Sequence, residues 1–179
     1  MKLSCLPVNR NILWGLIFCA SLLTGYAQKQ ISTTAGTLIS VGLQDEWAIS
    51  VGAIFTPKEK VDFRAAYNLY FRRDVRNQNA ENFHEVLATV QTKLIDLLGF
   101  EIDGGVGYVG NNFFINENAR DTATFFVQSG DFNHGLVLNF TGVYQLSYRL
   151  SLYAEYNFKS FGKRFDTFGF GLRYTIPLI

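Results

Sequence analysis

A chain of 179 residues with 16 basic and 15 acidic side chains has a formal net charge of +1, which excludes a strongly basic nucleic-acid binder. Phe (17), Tyr (9) and Gly (16) are plentiful, while Pro (3) and Cys (2) are scarce. Both cysteines, Cys5 and Cys19, lie in the first 27 residues, so the remainder has no disulfide, thiolate metal site or cysteine nucleophile.

The first element is a leader. Lys2 and Arg10 precede or open an uncharged apolar stretch at 12–23, and Gly25-Tyr26-Ala27 supplies the small residues that signal peptidase needs. Residues 1–27 therefore read as a cleaved signal peptide and 28–179 as one mature domain. The apolar stretch is shorter than the roughly 20 residues of a transmembrane helix. Phe18, just before Cys19, is bulkier than a lipidation signal accepts. Cleavage leaves 152 residues with 14 basic and 15 acidic side chains. No later window has 18 consecutive apolar residues, so a membrane can be crossed only by a closed β-barrel.

Two-residue alternation then marks strands in order. The first is near 36–43, where Thr37, Ile39, Val41 and Leu43 alternate with small residues. At 47–55, Trp47, Ile49, Val51, Ala53 and Phe55 share a face. At 61–71, Val61, Phe63, Ala65, Tyr67, Leu69 and Phe71 alternate with Asp62, Arg64, Ala66, Asn68 and Tyr70. The next segment is ambiguous: Phe83, Val86, Leu87, Val90, Leu94 and Leu97 have helical spacing, while Val86, Ala88, Val90, Thr92 and Leu94 have strand spacing. Further strands fall at 99–110, 134–146, 150–160 and 166–178. Taking 83–95 as a strand makes eight, most of them 9–13 residues long, which suits a tilted bilayer crossing. The connections 56–60, 96–98 and 147–149 are short, whereas 72–82 and 111–133 are long and polar. Counting 83–95 as a helix would leave seven strands and break that alternation.

With its leader, strand count, loop parity and aromatic final strand (Phe168, Phe170, Leu172, Tyr174, Ile176, Leu178), the chain resembles the small eight-stranded outer-membrane barrels of the OmpA-like and OmpX-like group. The resemblance covers essentially all of 28–179. It departs at the end, where Ile179 stands in place of the family's usual terminal Phe, with Pro177 just before. It implies an all-β, eight-stranded, antiparallel, up-and-down transmembrane β-barrel in the outer membrane, built there by the barrel-assembly machinery. A soluble lipocalin-like carrier of the periplasm has the same strand rhythm with apolar side chains inside. The scarcity of charge on the apolar face favours apolar outside.

With that facing, Arg64, Lys93, Glu101, Asp103, Glu155 and Arg173 point into the lumen, in its middle or periplasmic half. Lys93 is expected to form a buried pair with Glu101 across the turn at 96–98, and Glu155 and Arg173 stand within diagonal reach on neighbouring strands. The set reads as a polar plug; a narrow pore is the alternative. Arg72, Arg73 and Arg76 in the second outer loop, and Lys159, Lys163 and Arg164 around the fourth, are candidates to bind lipopolysaccharide phosphates, though solvated loop tips explain them equally well. Phe113-Phe114 and Phe125-Phe126 flank 117–121, as in a hairpin above the membrane with aromatics at headgroup level.

Catalytic signals are weak. His84 is followed by Glu85-Val86 and His134 by Gly135-Leu136, so neither begins the His-x-Ser pattern of the small lipid A deacylase barrels. Ser129 and Asp131 near His134 keep a lipid-modifying hydrolase or acyltransferase as the alternative. No phosphate-binding or dinucleotide fingerprint appears. The expected function is non-enzymatic and needs no cofactor: a structural, adhesive or interaction role through the outer loops. The expected partners are outer-membrane lipid and an extracellular protein, not nucleic acid.

Overall fold

The computed structural model describes residues 30–40, 46–58, 60–72, 82–113, 126–162 and 165–177, and the leader at 1–27 lies outside them. Nine strands follow in order: β1 (Gln30–Ser40), β2 (Glu46–Lys58), β3 (Val61–Arg72), β4 (Phe83–Leu97), β5 (Phe100–Asn111), β6 (Phe126–Ser129), β7 (Phe132–Gln145), β8 (Leu150–Lys159) and β9 (Thr167–Pro177). Eight of them form a closed antiparallel barrel. Each pairs with the next around the ring, β5 pairs directly with β7, and β1 pairs with β9 to close it. β6 is a short addition that hairpins with the start of β7, matching Phe126 to Gly135 and Ser129 to Phe132.

Strand alternation sets which side chains go where. Outward positions carry Ile49, Val51, Val90, Val106, Leu138, Phe140, Phe170 and Leu172, all substantially exposed. Inward positions carry Ser50, Arg64, Asn68, Thr89, Gln91, Asn139, Thr141, Glu155 and Asn157, all buried. An apolar outer wall around a polar interior suits a barrel surrounded by lipid and is the reverse of an apolar-lumen carrier. Aromatics collect towards both rims of the wall: Trp47 stacks on Phe71 with centroids 4.6 Å apart at one end, and Phe100, Tyr144 and Tyr174 stand exposed towards the other.

Three details differ from the sequence reading. β1 starts at Gln30 rather than near 36, because its Thr- and Gly-rich first half is held by ladders to β2 and β9 rather than by its own apolar content. The ambiguous segment is one 15-residue strand with an irregularity between Lys93 and Ile95. Inserting one residue there reverses facing, so Val86, Val90 and Leu94 point outward and then Ile95 and Leu97 do too. That switch produces the helix-like spacing. The β4–β5 turn is Leu98-Gly99, both at positive φ (32° and 90°), which suits the twist of a two-residue hairpin.

The β1–β9 seam closes over two facing glycines, Gly36 and Gly171. A Cβ on Gly36 would meet the Phe170 carbonyl oxygen and Tyr153 Oη, each at 2.5 Å, and one on Gly171 would meet the Ala35 carbonyl oxygen at 2.2 Å. The Tyr153 side chain covers the space that these glycines leave.

Phe140 lies near mid-height of the outward face of β7. Phe140→Arg is expected to cost about 2–4 kcal/mol in urea unfolding from lipid vesicles. Phe140→Leu should cost far less, and an equal cost for the two would refute the lipid-facing position.

Candidate functional site

The lumen is built in three levels, and the end that joins β3 to β4 and β5 to β7 is here called the loop end. At the opposite, turn end, a cavity of about 590 Å³ opens among Gln30, Thr56, Asp62, Lys93, Glu101 and Arg173. Lys93 Nζ donates to Glu101 Oε1 at 2.8 Å and to Asp96 Oδ2 at 3.2 Å. Arg173 Nη2 reaches Asp62 Oδ2 at 3.5 Å. Asp103 is buried one inward position above Glu101, in the field of Asp62, Arg173, Glu101 and Lys93. The Lys93–Glu101 contact is therefore made but is not buried as expected: its side chains are 27% and 33% exposed, because the cavity mouth reaches them.

The middle level is closed. Arg64 on β3 forms an ion pair with Glu155 on β8, with side chains only 7% and 1% exposed. These strands stand on opposite sides of the eight-membered ring, so the pair is a strut across the lumen. Glu155 was expected within reach of Arg173; the structure gives it to Arg64 and gives Arg173 to Asp62. The register explains this. Glu155 lies opposite Gly169, two inward positions from Arg173, which is at the level of Ser151 nearer the turn end. Around the strut, Asn139 Nδ2 donates to Asn157 Oδ1 at 2.6 Å, Thr141 Oγ1 donates to Asn139 Oδ1 at 2.9 Å, and Gln91 bonds Asn139. The Arg64 guanidinium lies 5.8 Å from the centre of the Tyr153 ring.

The upper level contains a pair missed in the sequence. Lys159 Nζ donates to both oxygens of Glu85, at 2.7 and 2.8 Å, and lies 3.0 Å from Tyr70 Oη. Tyr70 and Asn68 also donate to Glu85 Oε1, each at 3.0 Å. Both charged side chains are 1% exposed. Lys159 is thus not part of a basic loop cluster. It is the last residue of β8 and points inward, as its even spacing from Glu155 and Asn157 already implied. The loop end above it is capped by aromatics: Tyr70 stacks on Phe83 at 4.3 Å, and Phe83 meets Phe113, which meets Phe165, at 5.1 and 5.3 Å. Phe113 is accordingly buried in this cap rather than standing at headgroup level.

Of the candidate phosphate-binding residues, Arg73, Arg76, Lys163 and Arg164 lie outside the described residues, and Arg72 is described only as the backbone end of β3. Phe114 and Phe125 also lie outside them. His134 bonds Tyr108 Oη through Nδ1 at 2.7 Å. Ser129 and Asp131 sit exposed in the β6–β7 hairpin, and the hydrogen bond at Nδ1 of His134 is made with Tyr108, not with either of them.

No family model matches the sequence, and no curated protein sequence matches it. Solved structures do. Neisserial surface protein A aligns over 84% of this chain and 95% of its own, with 13% identity and a TM-score of 0.53. The N-terminal β-barrel domain of Pseudomonas aeruginosa OprF aligns over 84% and 98%, with 10% identity and a TM-score of 0.51. A designed transmembrane β-barrel aligns over 85% and 98%, with 9% identity and a TM-score of 0.53. At these identities the likeness concerns the fold, which is that of the small eight-stranded transmembrane barrels, the architecture of the OmpA-like and OmpX-like group.

The two ion pairs differ in burial, so they should differ in worth. Lys159→Met, which strands Glu85, is expected to cost about 3–5 kcal/mol, with Lys159→Met/Glu85→Gln milder than the sum of its parts. Lys93→Met at the open mouth should cost under about 1 kcal/mol. Unfolding in vesicles measures both, and similar costs at the two sites would refute this layering.

Proposed function

We propose that this chain is an integral outer-membrane protein, exported by the leader at 1–27, whose plugged barrel is an anchor and whose outer loops do the work. The observation that carries this reading is the inverted polarity of the barrel, with apolar Phe140, Leu138 and Val90 outside and the Arg64–Glu155 strut inside. The asymmetry of its ends supports it. Three close turns join strands at the end that holds Gln30 and Pro177, while the connections at 73–82 and 112–131 leave from the other. Outer-membrane barrels place their longer loops outside the cell.

The role is structural, adhesive or interaction-based, without catalysis and without a cofactor. Its partners are lipopolysaccharide, through the arginines and lysine near 72–76 and 163–164, and an extracellular protein at the loops. The barrel-assembly machinery inserts it. A conducting pore is disfavoured by the two buried ion pairs and the aromatic cap stacked above the open cavity.

Cell fractionation with a heat-modifiability gel tests the location: an outer-membrane band whose mobility changes on boiling is expected, and a soluble periplasmic band would refute the proposal. Cysteines placed at 76 and 118 should label from outside intact cells, while one at 98 should not. Planar bilayers should show no steady conductance, and open-channel current would overturn the plugged lumen.

A further inference from the structure

The chain's two histidines both stand on the outward face, where the apolar wall meets the loop end. They are held in the same way. Tyr67 on β3 bonds His84 on β4 through Nδ1, and Tyr108 on β5 bonds His134 on β7 through Nδ1 at 2.7 Å. In each case the tyrosine sits two residues below the histidine's ladder partner, Leu69 in one and Gly110 in the other. Gly110 is what lets the second pair form. A Cβ there would meet Tyr108 Oη at 2.3 Å and the Phe132 ring at 2.4 Å.

A third polar side chain completes the patch. The His84 backbone N–H donates to Asn112 Oδ1 at 2.7 Å, and the Asn112 N–H donates back to the His84 carbonyl at 3.2 Å. With its oxygen engaged, the Asn112 side chain keeps its NH₂ group to donate. A tyrosine hydroxyl donating to Nδ1 places the ring proton on Nε2, so each imidazole offers one N–H donor, or a cation when protonated. Neither Nε2 makes a hydrogen bond with a described residue. From β4 to β7 is two strand spacings, roughly 10 Å. Three donors thus lie within the width of one lipid headgroup, just above the apolar residues Val86, Leu136 and Leu138.

We propose that His84, Asn112 and His134 form a binding site on the outer wall for the phosphate of a lipid headgroup in the leaflet at the loop end. Phosphate oxygens only accept, and they carry the negative charge that three converging donors suit. Tyr67 and Tyr108 are positioning residues that hold the imidazoles with Nε2 turned away from the barrel. The site rests on the reading of the chain as a membrane barrel, since only then does this height coincide with lipid phosphates.

Two histidines make the test clean. In the protein labelled with ¹⁵N-histidine and folded in zwitterionic micelles, adding phosphatidic acid should shift both Nε2 resonances and saturate. Inorganic phosphate at the same concentration should shift neither. Native mass spectrometry should show phosphatidic acid retained on the intact barrel, with His84→Phe/His134→Phe reducing retention about tenfold, the scale of lost charge-assisted hydrogen bonds. These changes keep an aromatic at the rim, so folding survives. Tyr67→Phe/Tyr108→Phe keeps the histidines and should weaken retention less, with altered Nδ1 resonances. Equal shifts from inorganic phosphate would replace the lipid site with a free-anion site and overturn the proposal. A heat-modifiable, folded barrel that shows no shift with phosphatidic acid would overturn the site alone. A chain that never folds into micelles or vesicles would overturn the membrane reading and the site with it.

Discussion

The strut between Arg64 and Glu155 is the interaction on which the rest of the barrel depends. A barrel in lipid puts its apolar side chains outside, so its centre must be filled by polar groups that satisfy one another. Arg64 and Glu155 approach from opposite walls and are almost wholly buried. Neither tolerates loss of the other, because a lone charge there keeps its desolvation cost and loses its compensation. Asn139, Asn157, Thr141 and Gln91 extend the same layer with hydrogen bonds from β4, β7 and β8. Tyr153 links that layer to the closing seam: its ring is beside Arg64, and its hydroxyl occupies the space over Gly36. Filling the centre and closing the ring are therefore one packing problem.

The two ends of the lumen obey different physics. At the turn end, Lys93, Glu101, Asp62 and Arg173 line an open cavity, where solvent screens their pairing. At the loop end, Glu85 and Lys159 are shut beneath Tyr70, Phe83, Phe113 and Phe165. An aromatic cap excludes water, and each oxygen of the carboxylate below it has a donor. That rigid platform is what carries the loop connections. The same strands supply the outer rim, where Glu85 faces in while its neighbour His84 faces out, so one stretch of β4 serves both the plug and the wall.

Much of this architecture was legible in the sequence, because alternation reports facing directly. Phe168 to Ile176 and Leu152 to Phe158 declare the wall, and the spacing of short and long connections declares which end carries the loops. Arg64, Asp103, Glu155 and Arg173 were readable as inward residues for the same reason. The first strand was misplaced because 30–36 has little apolar content of its own. The β4 bulge at Lys93–Ile95 disguised a strand as a helix, since one extra residue changes a period of two into spacings of three and four. Lys159 looked like a loop cation because it ends its strand.

What the sequence determined by itself is the set of facings, the strand count and the net polarity of each wall, all properties of a single strand and its period. What only the tertiary structure decided is partnership. Arg64 meets Glu155 across 91 residues and Lys159 meets Glu85 across 74. No local spacing encodes those contacts, because they depend on the stagger of the strands around the closed ring. The same holds for burial: Lys93–Glu101 and Lys159–Glu85 are both opposite charges on inward faces. One is exposed and the other dry only because the lumen is open at the turn end and capped by aromatics at the loop end.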